Sequence, residues 1–243
     1  MALERLDKII ASMGRYSRRE VRQLVKEGLV LVDGKIARSA EDKYDPETAA
    51  ILVAGETLGY RRYTYVMLHK PAGVLSATED GHGRTVLDLL PKEYRKMGLF
   101  PVGRLDKDTE GLLLLTNDGE LAHDLLSPKR HVDKVYYTRV SGTLTQEDCD
   151  AFAAGMKLDD GLVCREAGLE ILSVGEESEA LVTLHEGKFH QIKRMLAFRG
   201  KSVLYLKRLR MGPLVLDEAL AKGAFRLLSE AEIAQIVHRQ NIQ

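Results

Sequence analysis

Cysteine is nearly absent from this chain of 243 residues: only Cys149 and Cys164 occur, too few and wrongly spaced for a disulfide framework or a zinc site. Both read as small core residues in a reducing compartment. No apolar run approaches the ~18 residues of a membrane-spanning helix, and Met1-Ala2-Leu3-Glu4-Arg5 lacks the basic and apolar regions of a leader. The expectation is a soluble, cytoplasmic chain with no membrane partner. Net charge is lacking too: Lys plus Arg and Asp plus Glu both number 36, so bulk charge argues for no polyanion. His69, His82, His123, His131, His185, His190 and His238 contain no i, i+4 zinc pair, and neither a GxxxxGK loop nor a GxGxxG after a strand occurs. A mechanism with no cofactor and no metal is the simplest expectation. There is no internal repeat and no heptad or large apolar surface stripe, so a monomer is expected.

What is present is distributed unevenly. Hydrophobic residues make up 44%, enough for a sizeable core, and the length fits one main domain with a small appendage. Between Gly187 and Leu216 there is no acid, while Lys188, Lys193, Arg194, Arg199, Lys201, Lys207, Arg208 and Arg210 are basic. Acids gather upstream, from Glu147, Asp148 and Asp150 to Glu179. A neutral chain with one basic face can still hold a polyanion in a salt-dependent way; the plain alternative is a solvated surface.

Residues 1–60 organise separately. Leu3, Leu6, Ile9, Ile10 and Met13 recur at helical spacing up to Gly14. A second helix opens with the capping box Ser17-Arg18-Arg19-Glu20, buries Val21, Leu24 and Val25, and stops at Gly28. Leu29 to Val32 and Lys35 to Ala37 flank Asp33-Gly34, a pair suited to a type I′ hairpin, and another strand lies at Ile51 to Val53. Arg15, Arg18, Arg19 and Arg22 cluster at the start of the second helix, where backbone N–H groups also attract phosphate. This unit, with Gly28-Leu29-Val30-Leu31-Val32-Asp33-Gly34-Lys35, resembles the S4 RNA-binding domain, and the four arginines are then expected to face RNA. The plain alternative is an ordinary helical subdomain.

Residues 61–243 are expected to form the larger domain. Strand patterns at Tyr63 to His69, Leu112 to Leu115, Val132 to Val140, Leu169 to Val174, Ala180 to Leu184 and Val203 to Leu206 mix irregularly with capped helices. Asp118 opens one helix running through Leu126 to the stop Ser127-Pro128, Thr145-Gln146-Glu147-Asp148 opens another, and Ser229-Glu230-Ala231-Glu232 a C-terminal one. Without a steady βα repeat the fold class is α+β: a small N-terminal S4-like α/β domain plus a larger domain on a mixed, mostly antiparallel sheet.

The segment Gly103-Arg104-Leu105-Asp106 leads through Thr109 and Gly111 into the run Leu112 to Leu115. An acid between Leu105 and that run must be paired, hydrogen-bonded or catalytic. Asp106-Lys107-Asp108-Thr109 also resembles the DxDxT pattern of aspartate-nucleophile phosphatases, with the threonine one residue early, but Pro101-Val102-Gly103-Arg104 precede it and no later acidic metal motif is apparent. On RNA, one carboxylate, one cation and one aromatic suit the breaking and remaking of a glycosidic bond. The carboxylate of Asp106 attacks or stabilises the sugar C1′, a fixed cation, Lys193 or Arg104, keeps it charged, and Tyr136 offers a face to an extruded base. The plain alternatives are a structural ion pair at Asp106, a core aromatic at Tyr136 and a solvated helix lysine at Lys193.

Taken in order, Gly103-Arg104-Leu105-Asp106 with Thr109, Gly111 and Leu112 to Leu115, then Lys134-Val135-Tyr136, then Glu186-Gly187-Lys188-Phe189-His190-Gln191-Ile192-Lys193-Arg194-Met195, resemble the RsuA-type pseudouridine synthases. With the S4-like beginning, the resemblance spans essentially the whole chain. It implies the pseudouridine synthase fold and an isomerase that detaches uracil from N1 of a ribosomal uridine and rejoins it through C5. Asp106 is implied as the catalytic aspartate, Tyr136 as stacking on the uracil, Lys193 as the partner of Asp106, and Arg104 as bracing the space left by the flipped nucleotide. His190, Gln191, Arg194 and Arg208 are expected to position substrate. The wording Phe189-His190-Gln191-Ile192-Lys193-Arg194 resembles members acting on small-subunit 16S ribosomal RNA; a large-subunit 23S enzyme of the same family and a non-catalytic RNA-binding assembly factor are the alternatives. The implied partner is ribosomal RNA or a ribosomal subunit assembly intermediate.

Overall fold

The computed structural model describes residues 3–127 and 132–237; the expected helix stop at Pro128, and His131 and His238, lie outside them. The chain folds as two compact units, one of residues up to Thr64 together with Leu87–Phe100, the other of Tyr65–Val86 and the chain from Pro101 on.

In the first unit β1 (Glu4–Arg5), α1 (Leu6–Ser12) and α2 (Arg18–Lys26) precede β2 (Val30–Val32), β3 (Lys35–Ile36), β4 (Lys43–Tyr44), β5 (Ile51–Val53) and β6 (Glu56–Thr57), and the later segment adds α3 (Lys92–Lys96). α1 is shorter than the periodicity predicts. Its first N–H groups, on Leu6 and Asp7, donate to the carbonyls of Asp42 and Ala40, while Glu4 and Arg5 pair with Tyr44 and Lys43 as a strand. Those carbonyls supply what a longer helix would have supplied internally. The capping box of α2 forms as expected: Ser17 Oγ accepts from Glu20 N at 3.2 Å and Ser17 N donates to Glu20 Oε2 at 2.6 Å. Asp33 and Gly34 take φ of 51° and 76°, the pair of positive values a type I′ turn requires. Leu6, Ile9, Ile10, Val21 and Val25 pack with Val30, Val32, Ile51 and Val53 as one core.

The rest of the chain supplies β7 (Tyr65–Lys70), β8 (Phe100–Pro101), β9 (Glu110–Thr116), α4 (Gly119–Leu126), β10 (Lys134–Ser141), α5 (Gln146–Ala154), β11 (Met156–Lys157), β12 (Val163–Cys164), β13 (Gly168–Ser173), β14 (Glu177–Leu184), α6 (Gln191–Phe198), β15 (Ser202–Met211), β16 (Leu214–Val215), β17 (Phe225–Leu227) and α7 (Glu230–Val237). The main sheet runs β13-β14-β10-β15-β9-β7-β17. β15 and β9 pair in parallel and the other neighbours on this path are antiparallel, so the sheet is mixed and mostly antiparallel, in an α+β fold. β7 and β9 are buried at every residue, which is why Leu112 to Leu115 form an unbroken apolar run. β10 and β14 instead alternate, with one face in the core and one toward solvent.

Gly111 decides how the centre of the sheet closes. Its φ is +107°, and a Cβ there would lie 2.2 Å from the Arg208 carbonyl oxygen. Only glycine lets β9 approach β15 this closely, and that approach sets the loop carrying Asp106 beside the strand carrying Arg208. Among the described residues no helix is long and apolar enough to cross a membrane.

Candidate active site

The loop before β9 is held from beneath by two buried side chains. Ser76 Oγ donates to Leu105 O at 2.9 Å and accepts from Leu105 N at 3.1 Å. Lys70, at the end of β7 and fully buried, donates from Nζ to the carbonyls of Pro71, Asp106, Lys107 and Thr109 at 3.1, 3.0, 3.2 and 2.9 Å. Burial pulls this lysine down to about 8, against the charges of Asp108, Asp106 and Glu110, which raise it. A cation ringed by carbonyls gathers the turn around Asp106 into one geometry, and Thr109 N closes that turn onto Asp106 O at 3.1 Å.

The Asp106 carboxylate is about a quarter exposed, and its Oδ2 lies 3.1 Å from Lys193 Nζ. Lys193 Nζ also donates to Asp108 Oδ1 at 2.6 Å, so one ammonium sits between two carboxylates. Burial alone would lower Lys193, but the hydrogen bonds from Asp108 and Asp106 outweigh it and hold the group above its ordinary value. Lys193 therefore stays protonated at neutral pH. Asp108 is held below the usual carboxylate range, chiefly by the Lys193 hydrogen bond.

Lys193 reaches the site from α6, which begins after His190 in a left-handed conformation with φ 51° and ψ 32°. His190 Nε2 lies 3.6 Å from Asp106 Oδ1, and the exposed Phe189 ring stacks on His190 at 3.8 Å. Tyr136 projects from β10 on the face of the sheet shared by Lys134 and Thr138, and is 8% exposed. A cleft of about 440 Å³ brings together Arg104, Asp106, Thr109, Tyr136, His190, Gln191 and Lys193. On its wall Thr109 Oγ1 is buried without a hydrogen-bond partner among the described residues.

The other expected residues fall at varying distances from this centre. Arg104 lines the cleft and is exposed; Lys193, of the two cations considered, makes the ion pair with Asp106. Gln191 is buried and holds its own loop, accepting from Lys188 N at 3.1 Å and donating to Glu186 Oε1 at 2.9 Å. Arg194 pairs with Asp160. Arg208 is buried on β15, with Nε donating to Leu112 O at 2.8 Å. In the first unit Arg18 and Arg22 reach the fully buried Asp7 carboxylate at 3.0 and 3.5 Å, together with Arg5 at 3.0 Å. Arg15 pairs with Glu56, and Arg19 is exposed. Sequence reasoning missed Lys70, Ser76 and the second acid, Asp108. A lysine closing an apolar strand before Pro71 was the signal available for the first.

A floor built by a lysine-bridged aspartate at the entry to a central strand, with a tyrosine from the neighbouring antiparallel pair facing it, agrees with the sequence comparisons. The family model for RNA pseudouridylate synthase matches residues 64–198 and that for the S4 domain matches residues 4–49. The chain belongs to the RNA pseudouridine synthase family, a class of isomerases acting on RNA, and carries an S4 domain at its N-terminal end. It is 47% identical over 230 residues to a Bacillus subtilis protein named "Uncharacterized RNA pseudouridine synthase YtzG", covering 94% of this chain and 96% of that one. It is 40% identical over 233 residues to "Ribosomal small subunit pseudouridine synthase A" of Pseudomonas aeruginosa, covering 96% and 100%. A crystal structure of a pseudouridylate synthase superposes with a TM-score of 0.67 at 33% identity, covering 96% of this chain and 99% of that one.

Proposed function

We propose that this chain converts one uridine of small-subunit ribosomal RNA to pseudouridine. The observation that carries the reading is the Asp106 carboxylate facing a cleft with Lys193 at 3.1 Å and Tyr136 on the same wall. The target base leaves its stack and lies against Tyr136. Asp106 serves the C1′ centre while the N1–C1′ bond breaks, the uracil turns, and a C5–C1′ bond forms. The C5 proton leaves and N1 gains one, so atoms and charge balance with no redox partner. Lys193 keeps its positive charge beside the Asp106 carboxylate, and Arg104 braces the space vacated by the base. His190, Gln191, Arg194 and Arg208 position the strand or the loops that hold it. Residues 1–60, through Arg15, Arg18, Arg19 and Arg22, grip RNA phosphates, and residues 61–243 carry the chemistry. The substrate is naked ribosomal RNA or a subunit assembly intermediate, met by a monomer in the cytoplasm.

The small-subunit assignment draws on the relatives of that name in Vibrio cholerae and Pseudomonas aeruginosa, at 39% and 40% identity. The test is release of tritium from small-subunit ribosomal RNA labelled at uridine C5. The wild-type chain releases one equivalent per RNA and Asp106→Asn none, while RNA binding survives. Release only from large-subunit RNA moves the target; release by Asp106→Asn removes the catalytic assignment.

A further inference from the structure

Beside the cleft, and sharing Arg104, Tyr136, Gly187 and Lys188 with it, lies a second recess of about 1220 Å³ whose wall also holds Lys134 and Arg208. Arg208 is 2% exposed and Lys134 8%. While Arg208 Nε is bonded to Leu112 O, its Nη2 is buried with no hydrogen-bond partner among the described residues. Among the described residues Lys134 Nζ donates one bond, to Val132 O at 2.9 Å. Tyr136 pairs with Arg208 in the β10–β15 register, and Lys134 lies two residues before Tyr136 on the same face of β10.

The two cations therefore act on one another, and among the described residues neither makes an ion pair, although the neighbouring Asp133 carboxylate favours the charged form of Lys134. Burial first, and the Arg208 charge second, pull Lys134 down to about 8. The acid of the recess, Glu186, is already engaged: Oε1 accepts from Gln191 Nε2 and Arg165 N, and Oε2 pairs with Lys188. Desolvated like charges with an open donor arm are unfavourable unless an anion completes them.

We propose that this recess is a phosphate subsite in which Lys134 and Arg208 Nη2 hold one phosphodiester next to the nucleotide whose base lies against Tyr136. The proposal rests on reading the cleft as the uridine site. A phosphodiester offers acceptor oxygens to both donors at once and remains tethered to the sugar of that nucleotide, and Tyr136 lines both cavities. The subsite sets the register of the strand, so that one particular uridine stands over Asp106.

The test titrates the full chain with uridine, 5′-UMP, 3′-UMP and inorganic phosphate by calorimetry. One UMP isomer binds about tenfold or more tightly than uridine to the wild-type chain. Lys134→Gln reduces it to the affinity of uridine, and Lys134→Arg restores the advantage; uridine binds all three alike. A second readout needs no variant. The bound phosphate draws a proton back to Lys134, so near pH 8.5 that UMP isomer, unlike uridine, binds with proton uptake, seen as a dependence of the heat on the buffer's ionisation enthalpy. The charged groups facing Lys134 are Arg208, Arg104, Arg165, Lys188 and Glu186 of the recess and the neighbouring Asp133. Equal affinities for uridine and both UMPs, an advantage that survives Lys134→Gln, or no proton uptake overturns the subsite. Inorganic phosphate binding as tightly as UMP marks a free-anion site and overturns the RNA assignment. Catalysis by Asp106→Asn fells the functional reading itself, a result distinguishable from each of these.

Discussion

Replacing Lys70 by methionine keeps most of the stem's volume and removes the charged head from beneath the Asp106 turn. Of the four carbonyls that head serves, Lys107 O keeps Gly73 N and Asp106 O keeps Thr109 N, so Pro71 O and Thr109 O lose a donor. An orphaned buried group costs about 1–3 kcal/mol. Against this, the ammonium's own desolvation is relieved, which the depression from 10.5 to about 8 puts at about 3 kcal/mol. Two such groups together cost about 2–6 kcal/mol, so the net change at pH 7 runs from a gain of about 1 to a loss of about 3 kcal/mol, well short of four charge-assisted hydrogen bonds. The sign with pH is the sharper test. A lysine whose folded value lies below its unfolded one carries fewer protons when folded between the two values, so the native chain gains stability from about pH 8 to 10.5. Lys134 moves in the same direction but is present in both chains and cancels. The gap between wild type and Lys70→Met therefore widens as pH rises. Denaturant unfolding at pH 7 and 9.5 reads it, and turnover on RNA falls about 100-fold with little change in KM, because the loop loses its geometry. A gap constant with pH, together with unchanged turnover, refutes the placement of Lys70 as a buried cation positioning Asp106.

Lys193→Met strips Asp106 and Asp108 of their shared cation, and single-turnover assays should show a loss of about 100-fold or more with RNA affinity within about threefold of wild type. Gly111→Ala forces a Cβ into the Arg208 backbone, and thermal melting should report a loss above about 4 kcal/mol or no folded chain. Glu232 is held down at about 2, first by its hydrogen bond from Arg226, so it stabilises the fold above its ordinary 4.5 and loses that contribution as pH falls toward 2. Glu232→Gln should accordingly cost about 2 kcal/mol at pH 7, with the difference shrinking through that acid window in a pH series of denaturation curves.

Much of the fold was legible because local chemistry and tertiary need coincide. Ser17 with Glu20, Asp33 with Gly34, and Asp118 accepting from Leu121 N at 3.0 Å are caps and turns that depend on a few adjacent residues. Strand bounds were less legible. β15 extends from Ser202 to Met211, past the expected Val203 to Leu206, because its later residues include Arg208, whose burial depends on the β9 carbonyl it meets. The basic block at 187–216 reads as one surface in sequence, yet Arg208 is buried and Lys193 is engaged by two acids. The motif placed Asp106, Tyr136 and Lys193 in one reading, and all three line one cleft. The role of Lys70 was not legible beyond its place at the end of an apolar strand, because three of its partners are carbonyls some 36 to 39 residues away, which leave no side-chain signature.

The central claim is that Asp106 performs uridine isomerisation at one small-subunit position. Carbodiimide mapping of pseudouridine in ribosomal RNA from cells lacking the chain tests it, repeated after adding back wild type or Asp106→Asn. One small-subunit position should lose its pseudouridine, regain it with wild type and stay bare with the variant. A pattern identical in all three cells, or restoration by Asp106→Asn, contradicts the account.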